Sequence, residues 1–202
     1  MGKYKYLWWT DLESTGSKTE SYILEWAWII TEARSPFDEL SCGSLIVEPA
    51  DPEWESQMDD FVRNMHTENG LLADIHGGKG VSIEDAEDAI ISQMSTVGSK
   101  HDFLCAGSGV SHFDRRLITF QAERVSKWLQ YPNLDVGVIR RAFEMIKGGK
   151  EFADSVYGAN IAATSGTKHR AMDDIRDHLN EARVYAQFLE EALHMKGWVS
   201  ST

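Results

Sequence analysis

The sequence predicts a mixed α/β domain, and three observations carry that reading. Three apolar, strand-like stretches open the chain, separated by polar turns a few residues long. Beyond Pro49 and Pro52 the apolar residues fall instead at helical spacing. The length of 202 residues suits one domain with a sizeable core and is short for two. Residues 1–202 are therefore read as a single domain, with a core at about 4–194 and a short C-terminal tail.

Taken in order, Tyr4 to Thr10 is aromatic and apolar, and forms a strand leading into Asp11. Ser14-Thr15-Gly16-Ser17 is a turn. Tyr22 to Thr31 and Leu40 to Val47 are further strands, divided by the Ser35-Pro36-Phe37-Asp38 turn. Connections this short make an antiparallel meander, because parallel neighbours need a crossover of a dozen or more residues. Trp26 and Trp28 alternate in the second strand and belong to the core. Gln57 to His66 is a short helix, and Thr67-Glu68-Asn69-Gly70 begins another turn of helix. Ser82-Ile83-Glu84-Asp85 has the form of a capping box. The helix it opens runs to about Val97, with Ile83, Ala86, Ile90 and Met94 on one face. Phe103 to Ala106 is a short buried strand running into Gly107-Ser108-Gly109. A helix follows Asp114, through Leu117 and Phe120 to Val125. Leu134-Asp135-Val136 is a last strand, and Gly137 to Ile146 a helix. Lys147 to Lys168, with Gly148, Gly149, Gly158 and Gly166, reads as a loop with one helical turn. A long amphipathic helix from Arg170 to Leu193 completes the pattern. There is no internal repeat and no low-complexity tract.

Hydrophobic residues at 42% and charged residues at 26% are ordinary for a soluble globular protein. No apolar run approaches the ~18 residues of a membrane helix, and no signal-peptide pattern opens the chain. Met1-Gly2 invites N-myristoylation, but Tyr6 stands where that motif needs Ser or Thr. Cys42 and Cys105 lack ligand spacing and are expected as free thiols in a reducing cytoplasm. A net charge of −12 disfavours binding to long duplexes, since nucleic-acid binders carry a basic footprint. It favours a small nucleotide substrate held mainly through metal ions.

Asp11-Leu12-Glu13 puts two carboxylates on one face of a strand, because side chains alternate with period 2. Such a pair is ordinarily a solvated edge. Here it ends an apolar strand at a glycine turn, where burial makes unpaired carboxylates costly and a cation is the natural compensation. Asp114 lies at the entry to a helix, where an acid is otherwise a common first-turn residue. His169 and Asp174 are five residues apart, so they share a site only if His169 precedes the helix. Asp174 and His178 form a competing i, i+4 pair without a third ligand. His66, His76, His101, His112 and His194 show no ligand spacing, and no phosphate-binding P-loop is present. Carboxylate oxygens suit Mg²⁺ and Mn²⁺, and two such ions clamp the attacking and leaving oxygens of a phosphoryl displacement.

In this order the motifs resemble the four-acid, one-histidine (DEDDh) class of 3′→5′ exonucleases, and within it oligoribonucleases. Trp9-Thr10-Asp11-Leu12-Glu13-Ser14-Thr15-Gly16 follows that family's Trp-x-Asp-x-Glu-x-Thr-Gly. His66-Thr67-Glu68-Asn69-Gly70-Leu71 echoes its His-x-x-Ser-Gly-Leu, and Ser111-His112-Phe113-Asp114-Arg115-Arg116 carries the mid-chain acid. Leu134-Asp135-Val136 matches Leu-Asp-Val, and His169-Arg170-Ala171-Met172-Asp173-Asp174-Ile175 matches His-Arg-Ala-Leu-Asp-Asp-Ile. The likeness spans roughly residues 4 to 190.

The resemblance implies a ribonuclease H-like fold, a mixed five-stranded sheet flanked by helices. It implies that Asp11, Glu13, Asp114 and Asp174 bind two divalent cations, with His169 as general base. Leu12, Thr15, Gly16, Phe61 and His66 become substrate contacts, with Phe61 at the position of a base-stacking tryptophan. A homodimer is implied, in which Tyr131 reaches the partner's active site. The expected substrate is short single-stranded RNA, degraded to nucleoside 5′-monophosphates. A DNA-directed 3′→5′ exonuclease and a catalytically silent nucleic-acid-binding module stay open. The family also confines the 5′ end of its substrate with a phosphate cap that includes an arginine and a serine. Pro132 and Gly137 occupy those positions here, so dinucleotide selection weakens unless Arg170, Lys168 or Lys150 substitutes.

Overall fold

The computed structural model describes residues 4–163 and 169–198. The first strand, β1 (Tyr6–Ser14), pairs antiparallel with β2 (Ile23–Glu32), which pairs antiparallel with β3 (Glu39–Ile46). On its other flank β1 pairs parallel with β4 (Phe103–Gly107), and β4 pairs parallel with β5 (Leu129–Asp135). The sheet order is β3-β2-β1-β4-β5, so β1 is central. The expected meander is present, and the long chain between β3 and β4 supplies the crossover that parallel pairing needs.

That crossover holds a 3₁₀ turn (Trp54–Gln57), α1 (Asp60–Glu68), α2 (Leu71–His76) and α3 (Ile83–Val97). The α1 helix starts later than its sequence indicated, because the Asp59 side chain caps it by accepting from Val62 N. The helix expected to continue through Thr67–Gly70 does so only to Glu68 and breaks at Asn69–Gly70. Gly70 takes φ +81°, which other residues adopt at a cost, and α2 starts afresh behind it. Ser82 caps α3 as predicted, accepting from Asp85 N at 3.1 Å. Beyond β4, α4 (Asp114–Gln121) stops at Ala122 and α5 (Glu123–Ser126) follows, where one helix to Val125 was expected. Strand β5 begins five residues before the predicted Leu134-Asp135-Val136, and Val136 already belongs to α6 (Val136–Glu144).

The largest departure is α7 (Gly149–Ala163), in a stretch read as a loop. Phe152, Ala153 and Val156 face the core there, a stripe of helical period that the surrounding glycines obscured. Gly166 and Lys168 lie outside the described residues, as does the Met1-Gly2 pair. The closing helix α8 (Ala171–Met195) agrees with its prediction within two residues at either end.

Two cores sandwich the sheet. Trp8, Leu12, Trp26, Trp28 and Ile30 point to the face covered by α3, α4 and α5. Leu7, Trp9, Ala27 and Ile29 point to the other, covered by α6, α7 and the Ala171, Ile175, Leu179 and Ala182 stripe of α8. Full burial of one such aliphatic side chain contributes about 1.5–3 kcal/mol. The indoles of Trp9 and Trp26 are also satisfied, donating to Thr31 Oγ1 and Thr10 Oγ1 at 3.0 Å. Among the described residues, no helix is long and apolar enough to cross a membrane.

Candidate active site

Alternation along β1 places Asp11 and Glu13 on the same face as Leu7 and Trp9, so the apolar row under α8 ends in two acids. Parallel pairing with β4 ends at Trp9 opposite Ala106. Beyond that point the flank of β1 is open, and Leu12 N donates to Asp114 Oδ1 at 3.0 Å. Asp114, 3% exposed, opens α4 and is carried there by the 107–113 loop. Asp135 pins that loop by accepting from Gly109 N and Ser111 N at 3.1 and 3.3 Å. From above, the apolar stripe of α8 packs on the sheet and delivers Asp174 in its first turn.

One ligand oxygen from each of Asp11, Glu13 and Asp174 lies within 4.8 Å of the others. Asp114 is not in that group of three but faces Asp11 closely enough to raise its pKa. Burial, then the charges of Asp114, Asp174 and Glu13, hold the Asp11 carboxyl well above the usual range. Burial, reinforced by Asp174 and Glu25, pushes Glu13 up to about 9. Asp114 rises to about 7 through burial, against the N–H groups that stabilise its anion. Burial raises Asp174 to about 6, partly offset by His169. The cause common to all four is desolvation, compounded in Asp11 and Glu13 by clustered like charge. Clustered hard oxygen donors, whose charge His169 and Arg170 offset only in part, fit a divalent cation.

His169 stands in the bend just before α8, exposed, as sharing a site with Asp174 requires. Its backbone takes φ +61°, and Asn69 Nδ2 donates to its carbonyl. His66 is wholly buried below the acids. Its Nε2 lies 2.9 Å from Ser14 O and therefore carries the proton, while Nδ1 is 3.9 Å from Glu13 Oε2. Burial lowers its pKa, which favours the neutral ring. Leu12 lies in the core, and Thr15 is buried, with its hydroxyl accepting from Tyr22 N at 3.0 Å. Gly16 follows, with room beside it only as far as Ser21 Oγ, 3.3 Å from where a Cβ would sit. Phe61 projects from the first turn of α1, 74% exposed.

Tyr131 is not brought to these acids. It lies on β5, 97% exposed, beside a cleft of about 510 Å³ lined by Arg115, Thr119, Ser126, Pro132 and Asn133. The competing Asp174–His178 pair gathers no third ligand among the described residues. Burial depresses His178 to about 4.

Two of the candidate cap substitutes are engaged elsewhere. Arg170 Nε and Nη2 meet the Glu25 carboxylate at 3.0 and 2.9 Å, and Lys150 pairs with Asp154 at 2.6 Å. Lys168 lies outside the described residues. Glu25, Asn69 and Asp135 were not singled out as site residues from the sequence. A signal for Glu25 was available, since it is an acid in register with Ala27 and Ile29 on the buried face of a strand.

No protein-family model matches the chain. Among curated proteins, the oligoribonuclease of Corynebacterium diphtheriae is 33% identical over 179 residues, covering 88% of this chain and 80% of that protein. The oligoribonuclease of Xanthomonas euvesicatoria pv. vesicatoria is 32% identical over 185 residues, covering 90% and 87%. Among solved structures, E. coli exonuclease I in its zinc-bound complex with single-stranded DNA superposes with a TM-score of 0.66 at 15% identity. The match covers 96% of this chain and 43% of that one, so the chain spans about two fifths of its length. Exonuclease I from Methylocaldum szegediense gives 0.62 at 16% identity, covering 91% of this chain and 40% of that one. The fold is thus ribonuclease H-like, as its motifs implied.

Proposed function

The chain belongs to the oligoribonuclease family, and from that premise we propose that it is a 3′→5′ exoribonuclease of short single-stranded RNA. The products are nucleoside 5′-monophosphates. The observation that carries the reading is the convergence of Asp11, Glu13 and Asp174 within 4.8 Å at the end of a central strand. Asp114 stands beside them, and His169 is exposed at their edge.

In this reading Asp11, Glu13, Asp114 and Asp174 would hold two Mg²⁺ or Mn²⁺ ions. Bound divalent cations supply Lewis-acid stabilisation of the oxygens entering and leaving phosphorus. His169 accepts the proton of the attacking water at its imidazole, the general-base role a histidine most often fills. Phe61 stacks on a base, a contact that tolerates any sequence. Leu12, Thr15 and Gly16 border the terminal nucleotide, and His66 braces that end of β1 through the Ser14 carbonyl. Tyr131 serves the active site of a second copy in a homodimer.

The test is hydrolysis of labelled, 5′-phosphorylated RNAs of two to seven nucleotides, and of matching DNAs, with Mg²⁺ or Mn²⁺. The expected result is stepwise release of 5′-monophosphates from RNA in preference to DNA. The preference for dinucleotides is expected to stay below about tenfold, or ~1.4 kcal/mol. Pro132 offers no donor, and a side chain at Gly137 would meet Ser108 Oγ and Asp135 Oδ1 at 3.1 and 3.2 Å. A steep fall beyond two nucleotides would mean that another residue rebuilds the cap. Arg141 is then the first candidate, its Nη1 3.5 Å from where a Cβ at Gly137 would lie. Faster hydrolysis of DNA would support the DNA exonuclease, and binding without hydrolysis the silent module.

A further inference from the structure

Glu25 is a charged side chain only 3% exposed, on the covered face of β2 and directly opposite Glu13. It is not one of the three acids gathered at the candidate metal centre. Its two oxygens instead accept a fork from Arg170, with Nε at 3.1 and 3.0 Å and Nη2 at 2.9 Å. Glu25 Oε2 also accepts from Ala171 N at 3.1 Å. That N–H is one of the donors a helix start leaves unpaired, and Arg170, the capping residue of α8, provides no side-chain cap. A strand carboxylate therefore caps α8 from a distant part of the chain.

His169 immediately precedes this anchored pair. Its φ of +61° is strained for a residue with a Cβ and persists only where the surroundings over-determine it. They do so from both sides. Asn69 Nδ2 holds the His169 carbonyl, while Arg170 Nη1 reaches Asn69 O at 3.5 Å and Asp74 Oδ2 at 3.3 Å. We propose that Glu25 is a positioning residue that, through Arg170 and the Ala171 N–H, fixes the backbone of His169 and so aims its imidazole at the attacking water. The proposal rests on the exonuclease reading above. With the backbone pinned, only the side-chain torsions of His169 remain to bring the ring to the substrate.

Glu25→Gln keeps the shape and removes the charge that holds the guanidinium fork. It is expected to lower kcat by about 10–100-fold, the range for partners that orient a functional group. KM and Mn²⁺ affinity are expected to change by less than about twofold. In a His169→Ala background the same substitution should lower kcat no further, because a residue acting through another loses its effect when that one is gone. An equal loss in both backgrounds, a loss that follows Mn²⁺ affinity, or an unchanged kcat overturns the proposal. Should Glu25→Gln fold poorly, Asn69→Ala carries the same expectations. Hydrogen exchange at the Ala171 amide tests the clamp without catalysis: faster exchange in Glu25→Gln supports it, and unchanged exchange overturns it. Wild-type protein that hydrolyses no oligonucleotide would instead overturn the function reading itself.

Discussion

Asp11 and Glu13 occupy positions on a covered sheet face where two apolar residues would stabilise the fold more. Their raised pKa values, with those of Asp114 and Asp174, make the metal-free fold sensitive to pH. Glu13 moves from 4.5 to about 9, Asp114 from 3.8 to about 7 and Asp174 from 3.8 to about 6. Between each pair of values the folded state binds more protons than the unfolded one, so stability falls as pH rises through the window. The Tm of metal-free protein should therefore decline from pH 4.5 to about 9, with added Mn²⁺ restoring most at the alkaline end. A flat or rising Tm across that range would show that these acids ionise freely without a cation. Asp11→Ala, Asp114→Ala and Asp174→Ala should each nearly abolish turnover and leave the chain folded, since each removes one of several repelling charges. Wild-type rates in any of them would remove that residue from the site. His169→Ala should spare metal affinity and lower the rate by roughly 10²–10⁴-fold. Weakened metal binding there would mark it as a ligand. These candidates could be named from the sequence because each lies in a short motif of recognisable spacing. Glu25 was not, because its partners Arg170 and Ala171 belong to a helix start that only the folded sheet brings opposite it.

The first two strands were readily legible in the sequence, because strands buried on both faces need near-continuous apolar runs, and β2 is one. What the runs could not show is how tightly two strands must approach. A Cβ built on Gly43 of β3 would lie 2.4 Å from Cζ2 of Trp28 on β2. The indole cannot step aside freely, since its Nε1 donates to Gln93 Oε1 at 2.5 Å and its ring lies in the core below α3. Gly43→Val is expected to destabilise the fold by about 1–3 kcal/mol, the range for overpacking a filled core. Urea unfolding checks this, and an unchanged midpoint would mean that Trp28 has another rotamer available. The α7 helix was illegible for the opposite reason. Its glycines signalled a loop, and only the packing of Phe152 against Phe143 and Tyr185 reveals why the segment is helical. The breaks at Gly70 and Ala122 were lost likewise, because apolar spacing continues across both.

For the molecule as a whole, several apolar side chains of α8 stay partly exposed, among them Val184 and Leu189, while Phe188 packs its ring against Phe143 and Phe152. Tyr131 on β5, 97% exposed, is the residue on which the proposed pairing of two copies turns. If Tyr131 serves the partner's site, a mixture of inactive Tyr131→Ala and Asp114→Ala proteins should regain activity through hybrid dimers holding one intact centre. No recovery after verified subunit exchange, or a monomer in sedimentation, would restrict each site to its own chain. The sheet order itself was only partly legible: the antiparallel half follows from short turns, whereas placing β1 in the middle requires knowing that β4 returns beside it. That placement also has a temporal side. Asp11 and Glu13 are synthesised before Asp174, which arrives only with α8, after the whole sheet has been made. Until α8 is made, the four acids proposed to hold the cations are therefore incomplete, and the proposed hydrolysis waits on the last of them.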